Sequence, residues 1–165
     1  MKHFILGFFT SLALIVLGAL VYLRAGFAEV RADLQAPDWQ WTLARATTHA
    51  AVSRRAAGVI PAMSGTDSEL VVGGHLYLNG CAGCHGRPGQ ARDSMPLFIS
   101  PPQLPVTGAR YTPGEIQWIV EHGIRRSAMS AYGSFYKPEQ LRALAAFVSR
   151  LPELPPSVMD SLSRK

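Results

Sequence analysis

From Phe4 to Leu23 the chain carries no charged residue, and only Thr10 and Ser11 break its apolar character with clearly polar side chains. At a helical rise of about 1.5 Å per residue the run reaches roughly 30 Å, the thickness of one bilayer core. The sequence therefore predicts a transmembrane anchor over residues 1–24. A cleaved signal peptide is the competing reading, because Lys2 supplies a basic start and Gly26-Phe27-Ala28 offers small residues at a cleavage site. The length of the run favours the anchor, since signal-peptide apolar regions extend over only about 7–15 residues. On either reading the remainder is exported. As an anchor, the segment keeps Lys2 inside and places everything after Arg24 outside, with Arg24 and Arg31 weakening the charge bias.

The formal charge of +5 is spread along the chain. Residues 24–66 hold five arginines against three acids, and residues 67–165 hold ten basic against eight acidic residues. No basic block stands out, which argues against a nucleic-acid partner; an anionic lipid headgroup suits the cations of the 25–66 linker better.

Within that linker, bounded by Pro37 and Pro61, the stretch from Trp39 to Ala57 reads as a moderately amphipathic helix. Its apolar positions are Trp39, Leu43, Ala46, Ala50 and Val52. Two placements remain open. Trp39 and Trp41 can lie at the headgroup level with Arg45, Arg54 and Arg55 on the wetter side, or the helix is a solvated spacer. The globular part is expected over residues 67–151 and opens with a helix from Asp67 to Asn79 that contains Gly73-Gly74. Two glycines cost roughly 1 kcal/mol each against alanine in a helix, so close approach by another helix is expected there, with Tyr77 on the same side. Thr112-Pro113-Gly114-Glu115 announces a second helix by cap, proline and capping box, ending at Gly123. Ile116, Ile119, Val120 and Trp118 give it one broad apolar side. A third helix runs from Pro138 to about Leu151 along the stripe Leu141, Leu144, Ala145, Val148 and Leu151, with Phe147 beside it. Residues 152–165 contain three prolines without a period and read as a flexible tail. No period-two strand or internal repeat is visible, so the fold class is mainly α.

Only two cysteines occur, in Cys81-Ala82-Gly83-Cys84-His85. In an exported chain the spacing C-x-x-C-H reads as covalent attachment of haem. Two thiols three residues apart near a helix end can reach two vinyl groups, the next imidazole then meets the iron, and Ala82 and Gly83 let the backbone pass close to the porphyrin edge. A redox dithiol would need a neighbouring βαβ pattern that the chain lacks. A zinc site would need a second ligand pair, which His3, His49, His75 and His122 do not form. A plain disulfide explains neither the histidine nor the long loop from His85 to Thr112, which a large apolar cofactor would stabilise.

A haem iron held by one histidine needs a sixth partner or keeps an open position. Met129, in the glycine-bounded loop Gly123 to Gly133, is the leading candidate because its thioether is a soft ligand outside any obvious core position. Met95, Met63 and His122 are the alternatives; Met95 follows His85 by only ten residues and would have difficulty crossing to the opposite haem face.

These residues carry a resemblance. The region from Asp67 to Leu151 resembles the single-haem class I cytochrome c family in Cys81 to His85, in Gly73 and Tyr77, in the Gly123-Ile124-Arg125 to Met129 loop and in the final helix. The resemblance implies that the first and last helices of the domain cross, with Gly73 and Tyr77 facing Leu144 or Phe147. It implies one haem c bound through Cys81 and Cys84, with His85 and Met129 on the iron. It further implies a proline carbonyl set against the imidazole Nδ1, for which Pro102-Gln103-Leu104 fits and Pro96 is the weaker choice. Ser130 departs from the Met-Pro common in the family and leaves the stiffness of the ligand loop open. Ile99 to Leu104, together with the anchor and linker helix, looks like a branch of membrane-bound bacterial cytochromes.

The implied activity is electron transfer between protein redox partners by a carrier that is not itself an enzyme. Its location would be the cell inner membrane, single-pass, with the haem domain on the periplasmic side. The alternatives are a haem sensor or peroxidase-like enzyme with a displaceable Met129, and a haem-carrying subunit of a larger oxidoreductase complex. Arg87, Arg92, Arg110 and Arg125 are candidates to meet propionates; Trp118, Tyr111 and Tyr132 read as packing residues.

Overall fold

Helices make up the regular structure of the computed structural model, which describes residues 1–31, 34, 36–59, 65–90 and 100–164. The chain divides into two units, Met1–Ala32 and Asp33–Lys165. In the first, α1 spans Lys2–Arg24 and buries none of its residues. It is long and apolar enough to cross a membrane, a test that a signal sequence near an N-terminus also passes. In its last turn the Tyr22 hydroxyl donates to the carbonyl of Phe27, just past the helix end, at 3.0 Å, and the two rings stack with centroids 6.0 Å apart.

The second unit contains α2 (Asp38–Ala56), α3 (Asp67–Gly80), α4 (Ala82–His85), α5 (Leu104–Thr107), α6 (Pro113–His122), α7 (Pro138–Arg150), a 3-10 turn (Leu151–Glu153) and α8 (Pro156–Ser163). Caps set the starts of α3 and α6. The Thr66 hydroxyl accepts from the Glu69 N–H at the first. At the second, Thr112 and Glu115 form the reciprocal capping box, with Pro113 in the first turn and Gly123 ending the helix at φ +67°. The capping box, Pro113 and Gly123 are local features, which is why the sequence displayed them.

The core lies where α3 crosses α7. A Cβ at Gly73 would stand 2.1 Å from the Ala143 carbonyl oxygen and 2.8 Å from the Phe147 Cβ, so only glycine lets the two backbones meet. One turn later Tyr77 is fully buried, its ring centroid 5.4 Å from that of Phe147. Phe147, beside the apolar stripe of α7, is fully buried at the crossing and meets Gly73 and Tyr77 as expected.

Gly74 answers to a different helix. A Cβ there would meet Leu162 at 2.7 Å and Phe147 at 3.0 Å, and Leu162 belongs to α8. The expectation of a flexible tail over 152–165 is thereby corrected. Pro155 and Pro156 stand at the N-cap and first turn of α8, where proline is tolerated, and the helix buries Val158 completely and turns Leu162 toward α3. Because Leu162 is the end of a flexible side chain, Gly74→Ala should cost about 1–2 kcal/mol in chemical denaturation. In a Leu162→Ala background most of that penalty should vanish, leaving part of the gain of about 1 kcal/mol that alanine brings to a helix. An undiminished penalty in the double variant would show that α8 does not set the constraint.

The linker helix packs on the domain by a face that its sequence pattern did not single out. Trp39 and Leu43 are 65 % and 59 % exposed, and Ala46 and Ala50 are exposed as well. Among the apolar positions named from the sequence only Val52 is buried, joined by Ala56. That face packs on α6: the His49 ring stacks on Tyr111 at 5.3 Å, and the Ser53 hydroxyl donates to the Glu115 carboxylate. The Ser53 bond, with the Thr112 N–H behind it, holds the Glu115 carboxyl below its usual range. Trp41 is half-buried with the Arg45 guanidinium 5.4 Å over its ring. The helix is thus neither a free spacer nor separate from the domain.

Candidate functional site: a cysteine-histidine turn and a methionine loop

The Cys81 to His85 segment sits where α3 ends. Cys81 leaves helical geometry at φ −120°, and α4 follows as a single turn in which the Cys81 carbonyl accepts from Cys84 and His85 N–H groups at 3.0 and 2.9 Å. Gly86 then reverses the chain at φ +87°; a Cβ there would lie 3.0 Å from the Gln90 carbonyl and 3.1 Å from the Gln103 Oε1. The buried Tyr77 hydroxyl donates to the Gly86 carbonyl at 2.7 Å, tying α3 to the residue after His85. Burial raises the Tyr77 phenol well above its ordinary value, with nearby Cys81 adding to the shift, so this donor stays protonated.

Both cysteines are free thiols. Burial, and secondly Cys84, pushes the Cys81 thiol up to about 11. A redox dithiol needs the opposite, a lowered thiol pKa. Together with the lack of any strand among the described residues, this counts against the thiol-exchange reading.

The His85 Nδ1 lies 2.9 Å from the Pro102 carbonyl oxygen. A carbonyl can only accept, so Nδ1 carries the hydrogen and Nε2 keeps its lone pair. Burial lowers the His85 pKa, and the Pro102 bond partly opposes that shift. The Pro102 segment is itself held: Leu104 is buried at the start of α5, and the Gln103 side chain donates to the carbonyls of Cys84 at 3.3 Å and Pro101 at 3.4 Å. Sequence reasoning missed Gln103, whose only signal was an amide between a proline and a leucine near the motif.

Met129 lies half-buried against the core on the loop that follows α6. Its carbonyl accepts from Ile124 N–H at 3.0 Å, and a Cβ at Gly123 would come within 2.7 Å of the same oxygen. Past Met129 the loop returns to α6 through Tyr132 N–H to Val120 and Gly133 N–H to Glu121, at 2.9 and 3.0 Å. The Tyr132 hydroxyl donates to the Gly80 carbonyl at 3.1 Å, one residue before Cys81, and its ring stacks on Tyr136 at 5.5 Å. Tyr132 thus joins the methionine loop to the cysteine turn, a role beyond the packing expected of it.

The other sequence candidates fall elsewhere. His122 is exposed on the last turn of α6, its ring 4.7 Å from Trp118. Arg87, Arg110 and Arg125 are exposed. Met63, Met95, Pro96 and Arg92 lie outside the described residues.

An imidazole whose Nδ1 is held and whose Nε2 keeps its lone pair, with two thiols in the same short turn after a helix that packs on α7, is the arrangement of a c-type cytochrome domain. The family comparison gives the same class: residues 68–148 match the family model described as cytochrome c oxidase, cbb3-type, subunit III, and form a c-type cytochrome domain. No solved structure matches the chain. The domain's activity is haem-based electron transfer, and haem c is the group it implies. The donor set fits that group: two thiols at the attachment spacing, a neutral nitrogen with an oriented lone pair, and a soft sulfur on a separate loop.

Proposed function

We propose that this protein is an electron carrier that binds one haem c covalently through Cys81 and Cys84, with His85 and Met129 as axial ligands. The observation that carries the reading is the His85 hydrogen bond to Pro102, which leaves Nε2 free beside the two thiols. Bound haem supplies a one-electron couple; the chain's own residues decide where that couple sits. Pro102 orients the imidazole and makes it more basic, while Met129 contributes a sulfur that favours the reduced state. The absence of a basic block supports protein redox partners in place of nucleic acid.

In this reading α1 remains as a single-pass anchor in the cell inner membrane, with the haem domain on the periplasmic side. Anchoring confines the carrier near membrane-bound partners, where encounter does not require high solution affinity. The name of the matching family model favours a second reading, a haem-carrying subunit of a larger membrane oxidoreductase.

Intact-mass measurement and haem staining on a denaturing gel test the attachment. The exported protein should stain and weigh one haem more than its polypeptide, and Cys81→Ala with Cys84→Ala should abolish both signals. A colourless protein with the mass of its amino acids alone would end the proposal.

A further inference from the structure

We infer that Ser127 is the positioning residue for Met129, its hydroxyl bridging the Ile124 carbonyl and the Met129 amide so that the loop is held stiff. The inference rests on Met129 being the axial ligand. The Ser127 hydroxyl donates to the Ile124 carbonyl at 2.7 Å and accepts from the Met129 N–H at 3.1 Å. A hydroxyl has one hydrogen to give and lone pairs to accept with, and here both functions are used across the loop. The Ile124 N–H donates to the Met129 carbonyl at 3.0 Å, so Ile124 and Met129 are paired directly on one side and through Ser127 on the other.

Backbone geometry adds an independent observation. The Ser127 N–H reaches the Ile124 carbonyl at 3.2 Å, closing a four-residue turn whose third residue, Arg126, has φ +62°. This is the one non-glycine residue with positive φ among those described. Such a conformation persists where surrounding bonds over-determine it. Ser127 makes those bonds from both its backbone and its side chain. Its effect is to hold the Met129 backbone, and hence the starting point of the thioether, against displacement.

The test uses the full-length haem-loaded protein in detergent and titrates the ferric form with imidazole, which competes for the sixth position. Ser127→Ala should raise imidazole affinity about tenfold, the ratio expected from the loss of two hydrogen bonds. It should also accelerate hydrogen exchange at the Met129 amide, and Ser127→Thr should restore both values. A merely structural role would lower the denaturation midpoint while leaving imidazole affinity unchanged, and that result overturns the inference. In the unsubstituted protein, exchange at the Met129 amide as fast as at exposed Ser130 would overturn it without any variant. Met129→Ala is the control: if it too leaves imidazole affinity unchanged, the ligand assignment falls and the role of Ser127 falls with it. If Met129→Ala raises the affinity and Ser127→Ala does not, only the Ser127 inference is lost.

Discussion

Met129→Ala is expected to abolish the sulfur-to-iron charge-transfer band and to lower the reduction potential by on the order of 0.1–0.3 V, a large share of the roughly 0.8 V that axial ligands command. The direction follows from the donor. A thioether is soft and neutral and favours the ferrous state, whereas the water or open position left by alanine favours ferric iron. Spectroelectrochemical titration reads both quantities on one sample. The loop should survive the change, because the bonds at residue 129 run through its backbone to Ile124 and to the Ser127 hydroxyl. A haem whose iron does not carry the Met129 sulfur predicts neither the spectral loss nor the large fall. An unchanged band would place the sulfur elsewhere and send the search to Met63 and Met95.

The second large effect is structural. Gly73→Ala should destabilise the cytochrome domain by about 3 kcal/mol or more, even though alanine is the better helix former by about 1 kcal/mol. Its new methyl would stand 2.1 Å from the Ala143 carbonyl oxygen and 2.6 Å from the carbonyl carbon, both atoms of the α7 backbone. A side chain can rotate away; a helix backbone cannot, so α3 and α7 must separate. The damage should reach the site, because Tyr77 rides on the same helix one turn later and holds the Gly86 carbonyl directly after His85. Urea titration of Gly73→Ala beside Gly74→Ala makes the comparison, since Gly74 meets mainly the movable end of Leu162. Equal costs at the two glycines would contradict this account of the crossing. For a domain whose total stability is on the order of 5–15 kcal/mol, the expected loss at Gly73 is a substantial fraction.

Several parts of this molecule were legible because their determinants lie within a few residues of one another. The capping box of Thr112 and Glu115, the stop at Gly123, the stripe of α7 and the apolar run of α1 each declare themselves locally. The cysteine-histidine turn belongs with them. Even the crossing at Gly73 showed itself indirectly, as a helix breaker placed where only close approach by another helix would justify it.

Other parts depended on partners far along the chain. The tail looked structureless because its prolines read as breakers, yet Pro155 and Pro156 start a helix that α3 then receives through Gly74 and the buried Val158. The linker helix showed apolar residues on more than one side, and the surface of α6 selected Val52 and Ala56 while leaving Trp39 and Leu43 exposed. Gln103 and Ser127 are polar residues in loops, where side chains usually meet water. Their importance appears only when the Cys84 carbonyl and the Met129 amide arrive beside them.

The amino-acid order alone therefore determined the helix-rich class, the starts and stops of its capped helices and the tight turn that carries Cys81, Cys84 and His85, because short-range sterics and hydrogen bonding operate within a turn or two. Tertiary structure alone decided which face of α2 is covered, that α8 exists as a packed helix, and how the turn around Met129 is held. Those outcomes depend on which distant surfaces exclude water together, and a contact between Asp67 and Ser157, or between Ser53 and Glu115, leaves no trace in the local spacing of either partner.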